Sequence, residues 1–172
     1  STKKNNKYDK SRTLGISKSN IDYFNKEIIN IKNISWEINK IKIYTEKNFR
    51  EEILKFNNNN EQIFSIIKNY ELEKLLNNKL KKSNFIKFKT ITNYKDIIKQ
   101  EYNLIINCEP NHQITKKFFS KKIEKNYNSY AYTALINHKK VIENNTAFQN
   151  FTNDGPIAFL PISDSQTSVV YS

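Results

Sequence analysis

Glycine is nearly absent from this chain. It occurs only at Gly15 and Gly155, so neither a G-x-G-x-x-G turn nor a G-x-x-x-x-G-K-[ST] loop can be encoded. A G-x-S-x-G nucleophile elbow is missing as well, and so is H-E-x-x-H. One cysteine, Cys108, excludes an internal disulfide and a four-thiolate zinc site. Two histidines, His112 and His138, are too few for a histidine-rich metal site, and no metal is expected. No apolar run approaches the roughly 18 to 20 residues of a membrane-spanning helix. The opening STKKNNKYDK has no apolar segment behind its charges and does not read as a secretion signal.

Arginine is also scarce, at Arg12 and Arg50, whereas there are 27 Lys, 27 Asn and 25 Ile. The 172 residues carry a formal charge of +12. Arginine is the better fork for phosphate, so lysine excess without it reads as bias in coding composition. Specific nucleic-acid binding is not expected, only weak and salt-sensitive attraction. Contact with an anionic membrane surface remains open. The hydrophobic fraction is 37%, but 11 Phe, 10 Tyr and 1 Trp supply enough aromatic surface for a core.

Periodicity gives the elements. Residues 17–30 read as a helix capped by Ser17 or Ser19, with Ile21, Phe24, Ile28 and Ile29 on one face. ISWEINKIKIYT at 34–45 alternates like one long strand with an irregularity at Asn39–Lys40, and 51–57 can pair with it. The Asn run at 57–60 marks a turn. QIFSIIK at 62–68 reads as a short buried segment, and 71–82 as a helix. NFIKFKTI at 84–91 alternates as a strand. YNLIINCE at 102–109 has the continuous apolar character of a strand buried on both faces, which would make Cys108 a buried, inert thiol. A short helix follows at 112–122. Four strands are expected at 129–139, 146–152, 157–162 and 167–172, with NDGP at 153–156 as the clearest turn. The fold class is therefore α+β, ending in an antiparallel sheet.

Four segments carry a more specific signal. SRTLGISKSNIDYF at 11–24 resembles the R-x-x-x-L/I-S-x-x-S segment of class A FAD-dependent aromatic monooxygenases. IIKNYELEKLL at 66–76 is similar to that family's V-x-N-x-x-L-x-x-x-L. LIINCEPNHQITKKFF at 104–119 stands where the family has G-A-D-G-x-x-S-x-V-R, with Glu109 for the Asp, Pro110 for a Gly, Gln113 for the Ser and Lys116 for the Arg. The stretch 127–172 resembles the substrate-domain sheet, whose G-P-L-A-x-L-P-L is matched by GPIAFLPI at 155–162. Order and spacing agree with the ubiquinone-biosynthesis hydroxylases, of the 2-polyprenyl-6-methoxyphenol hydroxylase type.

The resemblance implies a partial para-hydroxybenzoate-hydroxylase-like fold. Residues 1–125 would be an incomplete FAD-binding region with inserted strands, and 126–172 part of the substrate-domain sheet. It implies FAD as cofactor, NAD(P)H as reductant and a polyprenylated phenol as substrate. It further implies a ubiquinone-biosynthesis complex as partner and a cytoplasmic location, peripheral on the inner membrane. Arg12 takes the place of an arginine that reaches the FAD phosphates; the plain alternative is a surface ion pair. Asn69 takes the place of a polar cofactor contact, and an N-cap for the next helix is the simpler role. Glu109 matches the acidic residue near the pyrophosphate and NAD(P)H groove, with strand termination as its alternative. Pro156, Phe159 and Pro161 lie where the family's sheet faces flavin and substrate. The Gly-rich phosphate turn and the family's G-D segment would fall before Ser1 and after Ser172, so these residues are expected to be inactive by themselves. A different class also fits: a non-catalytic basic binding or scaffold module with decayed flavin motifs.

Overall fold

Ser17 ends a strand and starts a helix. In the computed structural model, which describes residues 10–46, 52–57, 61–90, 93–98, 102–109, 111–119 and 125–172, strand β1 covers Thr13–Ser17 and helix α1 covers Lys18–Tyr23. The Ser17 hydroxyl accepts from the Asn20 N–H at 3.4 Å, which satisfies one of the orphan donors of the first turn. A π-helical turn, Phe24–Ile28, closes the segment. The helix expected over 17–30 is thus present in its middle, and β1 is an element that periodicity did not give. Two compact units divide the chain: residues 1–82 with 129–172, and residues 83–128. From residue 129 on, the expected sheet of 126–172 therefore shares a unit with residues 1–82.

Within the first unit, β2 is Ser35–Ile38, β3 is Lys40–Thr45, β4 is Leu54–Asn57 and β5 is Phe64–Lys68. Helix α2 spans Asn69–Lys81. The segment 34–45 is not one strand with a bulge. It breaks at Asn39, and its halves join different sheets: β1-β5-β2 form one, and β3 enters the other, β4-β3-β7-β8-β9-β6. Here β6 is Tyr132–Asn137, β7 is Thr146–Thr152, β8 is Gly155–Pro161 and β9 is Gln166–Tyr171. The pair β3–β4 forms as expected. Strands β7, β8 and β9 make the expected meander, while β6 lies beyond β9 and β3 runs parallel to β7. Gly155 allows the turn between β7 and β8: its φ is 132°, and a Cβ there would meet the Ser172 backbone. The Asn turn at 58–60 lies outside the described residues.

Strand β5 sits between two apolar clusters because its side chains alternate. Ile67 joins Ile21, Ile31 and Leu72 beneath the helices. Ile66 joins Ile38, Ala147 and Ile162 between the two sheets. The layers are helix, sheet, sheet. The Thr13 and Ser168 hydroxyls bridge the sheets at 3.0 Å, which gives the buried Ser168 hydroxyl a partner.

Trp36 locks the crossover at Asn39. Its indole N–H donates to the Asn144 carbonyl at 2.6 Å, and the Asn39 N–H donates to the Asn145 carbonyl at 3.0 Å. Trp36→Phe keeps most of the ring and removes the donor, so it should cost about 1 to 3 kcal/mol through the unpaired carbonyl. A shift in urea midpoint at constant slope checks this. Circular dichroism is the suitable probe, since Trp36 is the chain's one tryptophan. An unchanged midpoint would show that the bond contributes nothing.

The second unit holds α3, Tyr94–Ile98, and α4, Gln113–Phe118. His112 caps α4, its Nδ1 accepting from the Ile114 N–H at 3.2 Å. Two expectations are corrected here. Residues 84–90 form no strand, and Phe85 is 98% exposed. Residues 102–109 are not a buried strand either: Leu104 is 75% and Ile106 76% exposed. Alternation and apolar runs record the faces a strand would have, but a strand also needs neighbours for its N–H and C=O groups, and no described strand lies beside these. Cys108 is accordingly exposed rather than buried.

Candidate functional site

Arg12 and Asn69 are brought together by the sheet. In the antiparallel pair β1–β5, Thr13 lies opposite Lys68. One residue further on, the Asn69 N–H donates to the Arg12 carbonyl at 3.0 Å. Asn69 is the first residue of α2, and the cap position belongs to Lys68 (φ −72°, ψ 122°), which makes no side-chain cap bond. Asn69 is therefore not the N-cap that its sequence position suggested. Its amide is one of the first-turn donors that a helix leaves unpaired, and the Arg12 backbone satisfies it.

The Arg12 side chain is exposed, and its guanidinium has no ion pair among the described residues. Two lysines stand nearby in the structure. Lys10 lies over the Tyr70 ring at 6.0 Å. Lys68 reaches Gln166 Oε1 at 2.9 Å and Glu71 Oε1 at 3.8 Å. The Tyr70 hydroxyl donates to Glu71 Oε1 at 2.9 Å; that bond, aided by burial, holds the phenol above its ordinary pKa. One carboxylate is thus engaged by Tyr70 and Lys68, while Arg12 remains available. The Arg12 backbone meets the positive end of α2, and an exposed guanidinium is chemically suited to a phosphate, so the residue types here are compatible with a pyrophosphate group. Lys10, Lys68 and Tyr70 were not identified from the sequence; Lys68 comes here through its register with Thr13 across β1–β5, and Lys10 and Tyr70 through their mutual contact, which one strand pattern does not reveal.

The proposed apolar wall divides by the pleat. Phe159 and Pro161 lie on one face of β8, and Pro156 lies on the other. Register carries the Phe159 face across the sheet: Phe148 stands opposite it on β7 and Val169 on β9. The reverse face carries Leu160, which packs in the cluster of Ile38 and Ile66 between the sheets. Ile157, also expected in the wall, shares the Phe159 face, whereas Leu160, expected beside it, does not; Phe148 and Val169 are residues of that face that sequence reasoning missed, although alternation applied to β7 and β9 would have picked them out.

Glu109 lies in the second unit, with an exposed side chain. Its carbonyl accepts from Thr115 Oγ1 at 2.7 Å and from the His112 N–H at 3.2 Å. This is a tight turn leading into α4, so the backbone of Glu109 has a structural task. His138, just past β6, uses both ring nitrogens, with Lys139 O at 2.8 Å and Thr167 Oγ1 at 3.0 Å. No group of three or more His, Cys, Asp or Glu able to hold a metal occurs among the described residues. No helix among them is long and apolar enough to cross a membrane.

No protein-family model matches the chain. A stretch of 70 residues is 36% identical to the mitochondrial ubiquinone biosynthesis monooxygenase COQ6 of Danio rerio, covering 40% of this chain and 14% of that protein. The COQ6 of Xenopus tropicalis is 42% identical over 50 residues, 29% of this chain and 11% of its own length. The human COQ6 is 45% identical over 47 residues, 27% of this chain and 10% of its own length. The matched stretch thus spans no more than about a seventh of these relatives. The similarity supports a relationship to ubiquinone biosynthesis monooxygenases.

Proposed function

We propose that this chain is the central part of an FAD-dependent monooxygenase that hydroxylates a polyprenylated phenol in ubiquinone biosynthesis. The observation that carries this reading is the similarity to COQ6 monooxygenases over 40% of the chain. The juxtaposition of Arg12 and Asn69 supports it, because two residues singled out for the cofactor lie on adjacent strand ends.

When bound, FAD would draw electrons from NAD(P)H and supply the oxygen-transfer chemistry, which belongs to the cofactor rather than to side chains. This chain's part is binding, orientation and water exclusion. The Arg12 fork would hold the pyrophosphate, with Lys10 and Lys68 adding positive potential and Asn69 a side-chain contact. The Phe159–Pro161 face, extended by Phe148, Ile157 and Val169, would form an apolar wall against which an aromatic ring and prenyl chain can lie without water. Pro156, on the reverse face, would support the strand from behind. Glu109 would stand near the NAD(P)H groove, with its exposed carboxylate available and its backbone fixed by Thr115. The relatives' compartment is the mitochondrion; for this chain we propose the surface of an inner membrane, where a prenylated substrate resides and lysines meet anionic lipid. Association with other enzymes of the pathway belongs to the same reading.

Flavin absorbance tests this. A full-length protein containing these residues should bind FAD and consume NAD(P)H when given a polyprenyl phenol. Residues 1–172 alone should bind no measurable FAD, since two glycines cannot build a Gly-rich phosphate turn. A colourless full-length protein that does not hydroxylate the phenol would overturn the proposal.

A further inference from the structure

Two kinds of contact join the sheets. Ile38, Ile66, Ala147 and Ile162 pack between them, and apolar packing of this kind has no direction. At the Arg12 end the contact is polar. The Ser11 hydroxyl lies 2.9 Å from the Thr133 hydroxyl on β6. The Thr13 hydroxyl lies 3.0 Å from that of Ser168 on β9, a residue that is 0% exposed. On β5, the Lys68 ammonium donates to Gln166 Oε1 at 2.9 Å, and Gln166 Nε2 donates to Asn137 Oδ1 at 2.7 Å. The three bonds between the sheets join residues 98 to 155 positions apart, so no local pattern places them. Arg12 lies between two of them. The bond from the Asn69 N–H to its carbonyl continues the β1–β5 register by one pair. Alternation thus sends Ser11 and Thr13 to the six-stranded sheet and Arg12 to the other side, that of Leu14 and Ile16 beneath the helices.

We propose that these bonds form a positioning seam: Ser11, Thr13 and Lys68, held by Thr133, Ser168 and Gln166, fix the place of the Arg12 guanidinium relative to the six-stranded sheet. The inference rests on the reading that Arg12 holds a cofactor phosphate while the sheet walls the reacting ring. Under that reading both ends of one cofactor are set by a single hydrogen-bonded unit. A hydroxyl pair is directional and weakens steeply when its geometry is lost, whereas isoleucine against alanine tolerates a slide. Movement of β9 therefore carries β1 and Arg12 with it. Thr13 and Ser168 touch no cofactor here; they are positioning residues that act through Arg12.

FAD titration and urea unfolding of a full-length protein, with Thr13→Val, Ser168→Ala and their double variant, test the proposal. Each single substitution leaves one hydroxyl of the pair without its partner and should lower the urea midpoint. The double removes both and should return the midpoint close to the parent. FAD affinity should fall about tenfold in the singles and stay low in the double, because apolar contact restores stability without registry. In an Arg12→Lys background the double should weaken FAD no further, since the pair acts through the guanidinium. If the buried pair does not tolerate replacement, Thr133→Val decides: it removes the outer bond at an exposed position and should weaken FAD about threefold with the midpoint unchanged. Affinity that recovers together with stability in the double, effects that add to Arg12→Lys, or sensitivity to Arg12→Lys alone would overturn the seam and leave the phosphate reading standing. A full-length protein that binds no FAD, or whose affinity ignores Arg12→Lys, would overturn both.

Discussion

Ile67→Ala is expected to lower the unfolding free energy by about 2 to 5 kcal/mol. Ile67 is 0% exposed, on the central strand of the three-stranded sheet, packed with Ile21, Ile31 and Leu72. Truncation leaves a cavity that two helices and a sheet cannot close together. Domains of this size hold only about 5 to 15 kcal/mol in total, so the variant would lose a large share of the folded population at 37 °C. Phe85→Ala is the control. It removes a larger side chain that is almost wholly exposed, and should change stability by no more than about 0.5 kcal/mol. Urea midpoints measure both. Equal effects would mean that the core is not where these clusters place it.

Arg12→Lys in a full-length protein is expected to weaken FAD binding about ten- to a hundred-fold, equivalent to a charged hydrogen bond of about 1.5 to 3 kcal/mol. Charge is preserved and the bidentate fork is lost, so the substitution isolates geometry. The apoprotein melting temperature should hardly move. The guanidinium is exposed, and the contact Arg12 makes to α2 runs through its carbonyl, which lysine also has. Titration of the apoprotein with FAD, alongside its thermal melt, separates the outcomes. Unchanged affinity, or a marked fall in melting temperature, would make Arg12 a structural residue.

Much of the fold is legible where local pattern and local partner coincide. The β3–β4 pair and the β7–β8–β9 meander join neighbours in sequence, and Asn-Asp-Gly-Pro at 153–156 supplies the turn. The α2 helix follows from Leu72, Leu75 and Leu76 on one face, and these do line the first cluster. The reading fails where the partner is distant or missing. Residues 84–90 and 102–109 have strand patterns and no described strand beside them. The candidate site is legible one residue at a time: Arg12, Asn69 and Phe159 each stand out, while Lys10 and Tyr70 become candidates only through tertiary contact and Phe148 only through register.

The aromatic side chains expected to build the core are at most partly buried among the described residues, where Ile, Leu and Ala fill it. By itself the sequence determined which segments are amphipathic, and where Ser17 could cap α1 and Gly155 could turn the chain. These follow from side-chain periodicity and backbone sterics, which act within a few residues. Only the tertiary structure decided that residues 34–45 split at Asn39 between two sheets, that β3 runs parallel to β7, that β6 lies at the rim, and that the Asn69 amide meets the Arg12 carbonyl. A strand's pattern fixes its two faces, but its hydrogen-bonding edges are alike along the chain, so the choice of neighbour is left to long-range packing.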